Sequence, residues 1–208
     1  SKKGMEDARP AMKTVGDRGQ ALKDWFLDAV DRDTDAFNGV IAAMRMPKKT
    51  DEEIRARNAA IERANQHAAE VPLTVVERCV ETLDLARTAA ERGNPASVSD
   101  AGVAGHCALA AAEGAALNVR INLPSVGDAG AAAGLRERLD RAVGEARDRA
   151  GALAKVVDAV LAAVTNDPGV AQRLALSDPV AAISPIYRQA LQIDDLSTAS
   201  QEEIKSAY

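Results

Sequence analysis

The sequence SDAGVAGHCALAAAEGAALNVRINL, residues 99–123, restricts the fold more than any other stretch of the chain. Alanine and glycine dominate it, and it shows no strand-like alternation of apolar and polar residues. Small side chains let helix backbones approach closely. The stretch therefore predicts a helix from about Ser99 or Asp100 to Leu123, central in the fold and surrounded by other helices.

Four further helices are predicted on either side of this one. The first spans residues 19–46, with an apolar stripe of Leu22, Phe26, Val30, Phe37, Ile41 and Met44. A capping box formed by Thr50 and Glu53 opens the second helix, which runs to about Glu70. Pro72 suits the first turn of a third helix, which ends before Gly93. A last, long amphipathic helix carries Leu135, Leu139, Ala146, Leu153, Val157 and Val160 on one face.

These segments predict an all-α fold, a helical bundle of about five main helices. We expect one domain over residues 1–164 and a partly helical C-terminal tail or linker over 165–208. Apolar residues make up 47% of the chain and aromatic residues only 2%. The core must therefore consist of closely packed aliphatic side chains.

Composition argues against several classes of function. The net charge of −5 comes from interleaved acidic and basic residues without a basic block, which disfavours nucleic-acid binding. No apolar run reaches membrane-spanning length, and residues 1–4 lack the apolar core of a signal peptide, so we expect a cytoplasmic protein. Two cysteines and two scattered histidines do not suggest a metal site or a disulfide framework, and no cofactor is expected.

Asp33 is the first candidate for a chemical role. It falls inside the apolar stripe of the first helix, between Val30 and Phe37, where the pattern calls for a hydrophobic residue. An ionised carboxylate among apolar groups is costly unless it is paired, and such a group is suited to proton transfer. A buried salt bridge would explain the same residue equally well.

The small-residue helix carries a second candidate set. Asp100, Asn118 and Asn122 share one face, because 18 residues make five turns at about 3.6 residues per turn. A face that is small and apolar in the middle and rich in amides at one end could form the floor of a ligand pocket. Amide hydrogen bonding between helices is the more common use of such residues.

Arg45, Lys48 and Lys49 cluster around the break at Pro47. Three positive charges at one helix junction could receive the anionic tail of a ligand. Exposed turns are also commonly charged for solubility alone.

Several blocks, read in order, resemble the formiminotransferase-cyclodeaminase family. They are DRDTDAF (31–37), MRMPK (44–48) with TDEE (50–53), VPL (71–73), Gly93-Asn94 leading to Ser99-Asp100, and ALNVRINL (116–123). The similarity is to the cyclodeaminase half of the family and to the related methenyltetrahydrofolate cyclohydrolases. It extends over residues 1–164, and its specificity comes from the order of the blocks.

The resemblance implies a helical, homodimeric enzyme of one-carbon metabolism that acts on a folate. It assigns the catalytic role to Asp33 and substrate-binding roles to Asp100, Asn118 and Asn122. We expect Arg45, Lys48 and Lys49 to favour polyglutamylated folates. The resemblance also implies fusion to, or association with, a formiminotransferase domain.

Three functions are compatible with these residues. The first is a cyclodeaminase of histidine degradation, an ammonia-lyase that converts 5-formiminotetrahydrofolate to 5,10-methenyltetrahydrofolate. The second is a cyclohydrolase that opens the methenyl bridge with water. Family members begin with a glycine-rich Pro-Gly-Gly-Gly-Ser segment that this sequence does not show, so we treat the chain as N-terminally incomplete. The third alternative is accordingly an inactive helical dimerisation module.

Overall fold

A computed structural model of the chain describes residues 7–166, which form four long helices. They are α1 (Arg9–Met44), α2 (Asp51–Arg92), α3 (Val98–Asn122) and α4 (Ala129–Asn166). Short 3-10 turns, Pro95–Ser97 and Leu123–Ser125, lead into α3 and out of it. This part of the chain contains no strand, and the predicted all-α bundle is confirmed. Residues 167–208 of the predicted tail lie outside the described residues, so the domain boundary stays a prediction.

The predicted helix boundaries are wrong in two places: α1 begins at Arg9 and not at residue 19, and α2 continues through Pro72, so the predicted second and third helices are one. The capping box at the start of α2 is present, with the Thr50 hydroxyl accepting from the Glu53 amide at 3.1 Å. Proline has no N–H, so the Ala68 carbonyl loses its usual helical donor four residues later. The Asn122 side chain of α3 supplies that donor, with Nδ2 2.8 Å from the Ala68 oxygen. A tertiary contact thus replaces the missing helical bond at this carbonyl.

The face of α1 that packs on α2 differs from the predicted stripe. Its buried residues recur every seven positions, at Leu22, Ala29, Ala36 and Ala43. The residues of α2 that line cavities together with α1 include Ala68, Val71 and Leu85. Repeats of seven suit two helices packed side by side, and alanine allows the backbones to approach closely. Larger apolar residues of α1 do not lie on this buried face, and Val30 is 66% and Phe37 64% exposed.

The main core joins α2, α3 and α4. Close approach is possible where α3 carries Gly105, since a Cβ there would overlap with the side chain of Leu153 on α4. Only one face of α3 is buried, while Leu117 and Ile121 on the other side are 63% and 74% exposed. Within a single chain the surrounded helix is therefore α2, and the prediction that α3 is central and surrounded is wrong.

The turn between α3 and α4 is held against α2 by two side chains. Asn65 Nδ2 donates to the carbonyl oxygen of Ser125 at 2.7 Å. The Glu62 carboxylate accepts from the backbone amides of Gly127 at 2.8 Å and Asp128 at 3.0 Å. These bonds fix the C-terminal end of α3 beside the N-terminal half of α2.

Candidate active site

The three helices α1, α2 and α3 form a cleft at each end of their layer. One lies between the N-terminal half of α1, the C-terminal half of α2 and the start of α3, and has a volume of about 480 Å³. We call it the apolar cleft, because residues such as Leu22, Phe26 and Leu85 form most of its wall. The other lies at the opposite ends of the same helices and has a volume of about 260 Å³.

We call the second cavity the amide cleft. Its lining consists of Asp33, Ala36, Phe37, Val40 and Met44 from α1, Asn65 and Ala68 from α2, Asn118, Ile121 and Asn122 from α3, and Ser125. Apolar walls combined with a few polar groups are typical of small-molecule sites. The amide cleft brings together three of the residues that the sequence singled out: Asp33, Asn118 and Asn122.

Asp33 lines the amide cleft but is not buried. Its side chain is exposed, as are its neighbours Val30 and Phe37, so the expected desolvation among apolar residues is wrong for the single chain. The reason is that α1 buries its alanines against α2 and turns its larger apolar residues outward. What supports a chemical role for Asp33 is its position beside amides in a concave site.

The two asparagines of α3 differ in their surroundings. Asn122 is half-buried and donates to the Ala68 carbonyl, whereas Asn118 is exposed at the cleft wall. The sequence missed two neighbours, Asn65 and Ser125, which are joined by a hydrogen bond and line the same cleft. Neither residue had a signal in the sequence, since a proline inside α2 calls for a donor at the Ala68 carbonyl, and Asn122 supplies it.

Asp100 does not belong with the two asparagines, and that grouping is wrong. It lines the apolar cleft together with Lys23, Asn94 and Ser97. Asp100 and Asn118 are 18 residues apart, which at about 1.5 Å per residue is about 27 Å along the helix axis. Residues can share a helix face and still be too far apart to touch one ligand.

The three basic residues lie at the turn between α1 and α2. Arg45, Lys48 and Lys49 are exposed and directly follow Met44, which lines the amide cleft. None of the three lines the cleft itself. A fourth cation that the sequence did not indicate is adjacent, since Arg57 Nε donates to the Met44 carbonyl at 3.2 Å. The turn is thus a positively charged rim next to the cleft.

Other titratable groups serve packing. Glu113 on α3 pairs with Arg147 on α4 at 2.6 Å, and the hydrogen bond from Arg147 lowers the pKa of the Glu113 carboxyl. Burial raises the pKa of the Cys79 thiol to about 11, so this cysteine stays protonated inside the core. Among residues 7–166, no group of three or more His, Cys, Asp or Glu side chains could hold a metal ion.

The arrangement of helices has a counterpart among solved structures. The chain is similar to the formiminotetrahydrofolate cyclodeaminase from Thermotoga maritima, with a TM-score of 0.67 and 23% sequence identity. The similarity covers 77% of this chain and 76% of that protein. The fold is therefore that of a known class of helical proteins, and the likeness at this identity concerns the fold alone.

Sequence comparison identifies the family. The formiminotransferase-cyclodeaminase family profile matches residues 1–141, and the chain belongs to that family. It is 39% identical over 127 residues to the methenyltetrahydrofolate cyclohydrolase of Methylorubrum extorquens, a match that spans 61% of each protein. It is 35% identical over 121 residues to the pig formimidoyltransferase-cyclodeaminase, a match that covers 58% of this chain and 22% of the pig protein.

Proposed function

We propose that the chain acts on the one-carbon bridge between N5 and N10 of tetrahydrofolate, with Asp33 transferring protons. The observation that carries the proposal is the meeting of Asp33, Asn118 and Asn122 in one cleft. Membership of the formiminotransferase-cyclodeaminase family supports a folate as the ligand. The walls formed by Phe37, Met44 and Ile121 suit the flat face of a pteridine ring.

In the first candidate reaction, the formimino group on N5 is protonated at its nitrogen. N10 attacks the carbon of that group and forms the bond between N10 and the carbon. Asp33 takes the proton from N10 and gives it to the amino group of the tetrahedral intermediate. The bond between the one-carbon unit and the protonated amino nitrogen then breaks. Ammonia leaves with the electron pair of that bond, so the methenyl product carries the positive charge. One carboxylate serves as base and then as acid. Binding both nitrogens in one molecule supplies the proximity that accelerates the step.

The second candidate is the cyclohydrolase reaction, in which water adds to the methenyl carbon and a carbon–nitrogen bond of the bridge breaks. Asp33 would take one proton from the water and pass it to the departing nitrogen, and the second proton goes to solvent as the hydroxyl becomes the formyl carbonyl. The 39% identity to the Methylorubrum cyclohydrolase favours this candidate. Both reactions place a proton acceptor beside the same carbon, so the same cleft serves either.

Two assays on one purified protein separate the candidates. Ammonia release from 5-formiminotetrahydrofolate measures the first reaction, and loss of 5,10-methenyltetrahydrofolate measures the second. We expect one of the two to proceed and to be lost in Asp33→Asn, which excludes a contaminating enzyme. A chain that turns over neither substrate and binds no reduced folate would instead be the inactive dimerisation module.

We also propose a homodimer. Phe37 and Ile121 line the amide cleft and are 64% and 74% exposed, and Leu117 on α3 is 63% exposed. Large apolar side chains with this much exposure suit a subunit interface. Sedimentation at micromolar concentration should give twice the mass of one chain. A well-folded monomer under those conditions would contradict this assignment.

The remaining partners are proposals too. Polyglutamylated folates would place their anionic tails at Arg45, Lys48 and Lys49, and a formiminotransferase domain would be fused or associated. No helix within residues 7–166 is long and apolar enough to cross a membrane. A cytoplasmic location stays a prediction.

A further inference from the structure

The starting observation is the hydrogen bond between Asn122 and the backbone of α2. Pro72 stands deep inside α2, and its nitrogen cannot donate to the Ala68 carbonyl. Asn122 Nδ2 fills that place from α3 at 2.8 Å. Since a carbonyl oxygen only accepts hydrogen bonds, the atom facing it must be the NH2 of the amide.

This bond determines what the other half of the amide can do. With Nδ2 committed to Ala68, Oδ1 is the atom left to accept a hydrogen bond, and it accepts none from residues 7–166. Within residues 7–166, Asn122 Oδ1 is not among the fully buried side-chain atoms that lack a hydrogen bond, so it keeps contact with solvent. Because Asn122 lines the amide cleft, a ligand there meets an acceptor whose orientation is already fixed.

We propose that Pro72 is a positioning residue for ligand binding: by leaving the Ala68 carbonyl without a helical donor, it orients Asn122 so that Oδ1 accepts from an N–H group of the ligand. The inference rests on the proposed function for the identity of that ligand. Asp33 and Asn122 Oδ1 give the cleft two acceptors, which suits a ligand with more than one N–H donor. In a reduced folate the N10–H would face Asp33, and an amino or ring N–H of the pteridine would face Asn122 Oδ1.

A merely structural role for Pro72 makes a different prediction. Pro72→Ala restores a backbone N–H four residues after Ala68, so the carbonyl gains a donor within its own helix. Asn122 then shares the Ala68 oxygen with a backbone N–H, so its own bond weakens and its amide can rotate. If Pro72 only packs in the core, ligand binding will not respond to this change.

The test is a double-mutant cycle with Pro72→Ala, Asn122→Ala and both together, read by thermal unfolding and by binding of 5-formyltetrahydrofolate. Asn122→Ala alone should lower the melting temperature, because it leaves the Ala68 carbonyl without a donor. Adding Pro72→Ala should recover part of that loss, since the new N–H replaces the amide. The double variant is therefore expected to fold even where Asn122→Ala alone does not.

Ligand binding should differ from thermal stability, because Pro72→Ala is expected to weaken binding and not to recover it. We expect Asn122→Ala to raise Kd about fivefold to tenfold, the usual effect of one lost hydrogen bond. Pro72→Ala should raise Kd severalfold, and the double variant should match Asn122→Ala, because both changes remove the same oriented acceptor. Pro95→Ala, in the 3-10 turn that follows α2, is the control and should bind like the wild type. Wild-type affinity in Pro72→Ala, or fully additive losses, would overturn the proposal.

The failure of the proposed function is distinguishable from the failure of this inference. A wild-type chain that binds no reduced folate contradicts the folate assignment. The orientation of Asn122 is then read directly from hydrogen exchange of its side-chain amide protons by NMR. We expect slow exchange in the wild type and fast exchange in Pro72→Ala. Equal exchange in the two proteins would overturn the positioning role.

Discussion

The two clefts are made by the same three helices and yet differ in chemistry. The apolar cleft, about 480 Å³, is the larger, and aliphatic and aromatic side chains cover most of its wall. The amide cleft, about 260 Å³, holds Asp33 and three asparagines. Volume alone would favour the first as a ligand site, whereas catalysis requires groups that donate and accept protons. Polar side chains at a helix end, and not the size of the gap, therefore support the amide cleft as the proposed active site.

The largest effect expected from this contrast is on turnover in Asp33→Asn. The substitution keeps the shape of the side chain but removes the group that exchanges protons, so turnover should fall about 10²–10⁴-fold. Because Asp33 is exposed, the melting temperature should stay within about 1 °C of the wild type. Steady-state kinetics on either candidate substrate measures the effect.

Two matched variants complete that experiment. Asp35→Asn removes the same charge from the same helix outside the cleft lining, and Asp100→Asn does so in the apolar cleft. Both should keep turnover within about twofold. A collapse in Asp100→Asn together with an active Asp33→Asn would reverse the assignment of the two clefts.

The next largest effect is on ligand affinity. It is measured with one substitution of a polar residue in each cleft. Asn118→Ala removes an exposed amide from the amide cleft and should raise Kd for reduced folate about tenfold, since one hydrogen bond to the ligand is lost. Ser97→Ala in the apolar cleft should leave Kd unchanged. Calorimetric titration of both variants provides the measurement. Equal losses at the two positions would mean that the ligand does not distinguish the clefts.

A smaller effect concerns the charged rim beside the amide cleft. Lys48→Gln with Lys49→Gln should reduce the preference for polyglutamylated folates about threefold to tenfold at low salt, because each exposed charge contributes modestly. The difference should shrink as ionic strength rises. Lys23→Gln, a cation in the apolar cleft, is the control. A preference for polyglutamates that survives the double substitution would exclude the rim as their binding site.

The smallest expected effect is on the pH dependence of the free energy of unfolding, and it concerns Glu81 on α2. Partial burial raises the pKa of Glu81, but hydrogen bonds from Arg18 and Arg78 outweigh it, so the pKa is lowered from 4.5. A carboxyl with a lowered pKa stabilises the fold above its unfolded-state value and loses that contribution as the pH falls.

Glu81→Gln should therefore lower the free energy of unfolding at pH 7 by less than about 1 kcal/mol. The difference from the wild type should be smaller at pH 3 than at pH 7, because the carboxyl becomes protonated as the pH falls below 4.5. Urea unfolding at both pH values measures it, and Glu91→Gln, whose partner Arg87 is on the same helix, is the control. A difference that persists in acid would show that Glu81 acts through packing instead of charge.

Much of the fold could be predicted from sequence because helices are encoded locally. The capping box at Thr50 and the apolar face around Leu139 were both found from spacing alone. The errors occurred where distant residues decide the outcome. Pro72 signalled a helix start by the local rules, whereas the donor for the carbonyl that it leaves unpaired comes from Asn122, 50 positions away in the sequence.

The candidate site was predictable to the same extent. Asp33, Asn118 and Asn122 were each conspicuous in the sequence, since a polar residue among apolar or small ones asks for an explanation. Asp100 was equally conspicuous and lies at the other end of the layer. Asn65 was missed because nothing near it in the sequence distinguishes it from an ordinary surface amide.

The sequence by itself determined that the chain is helical, where most of its helices begin and end, and to which family it belongs. Those properties depend on propensity, capping and the order of short blocks, all of which are read within a few turns. The tertiary structure decided which residues share a cleft, which face of α1 is buried and which donor serves the Ala68 carbonyl. Each of these depends on how far helices slide and rotate against one another, and that is set by close packing between residues remote in sequence.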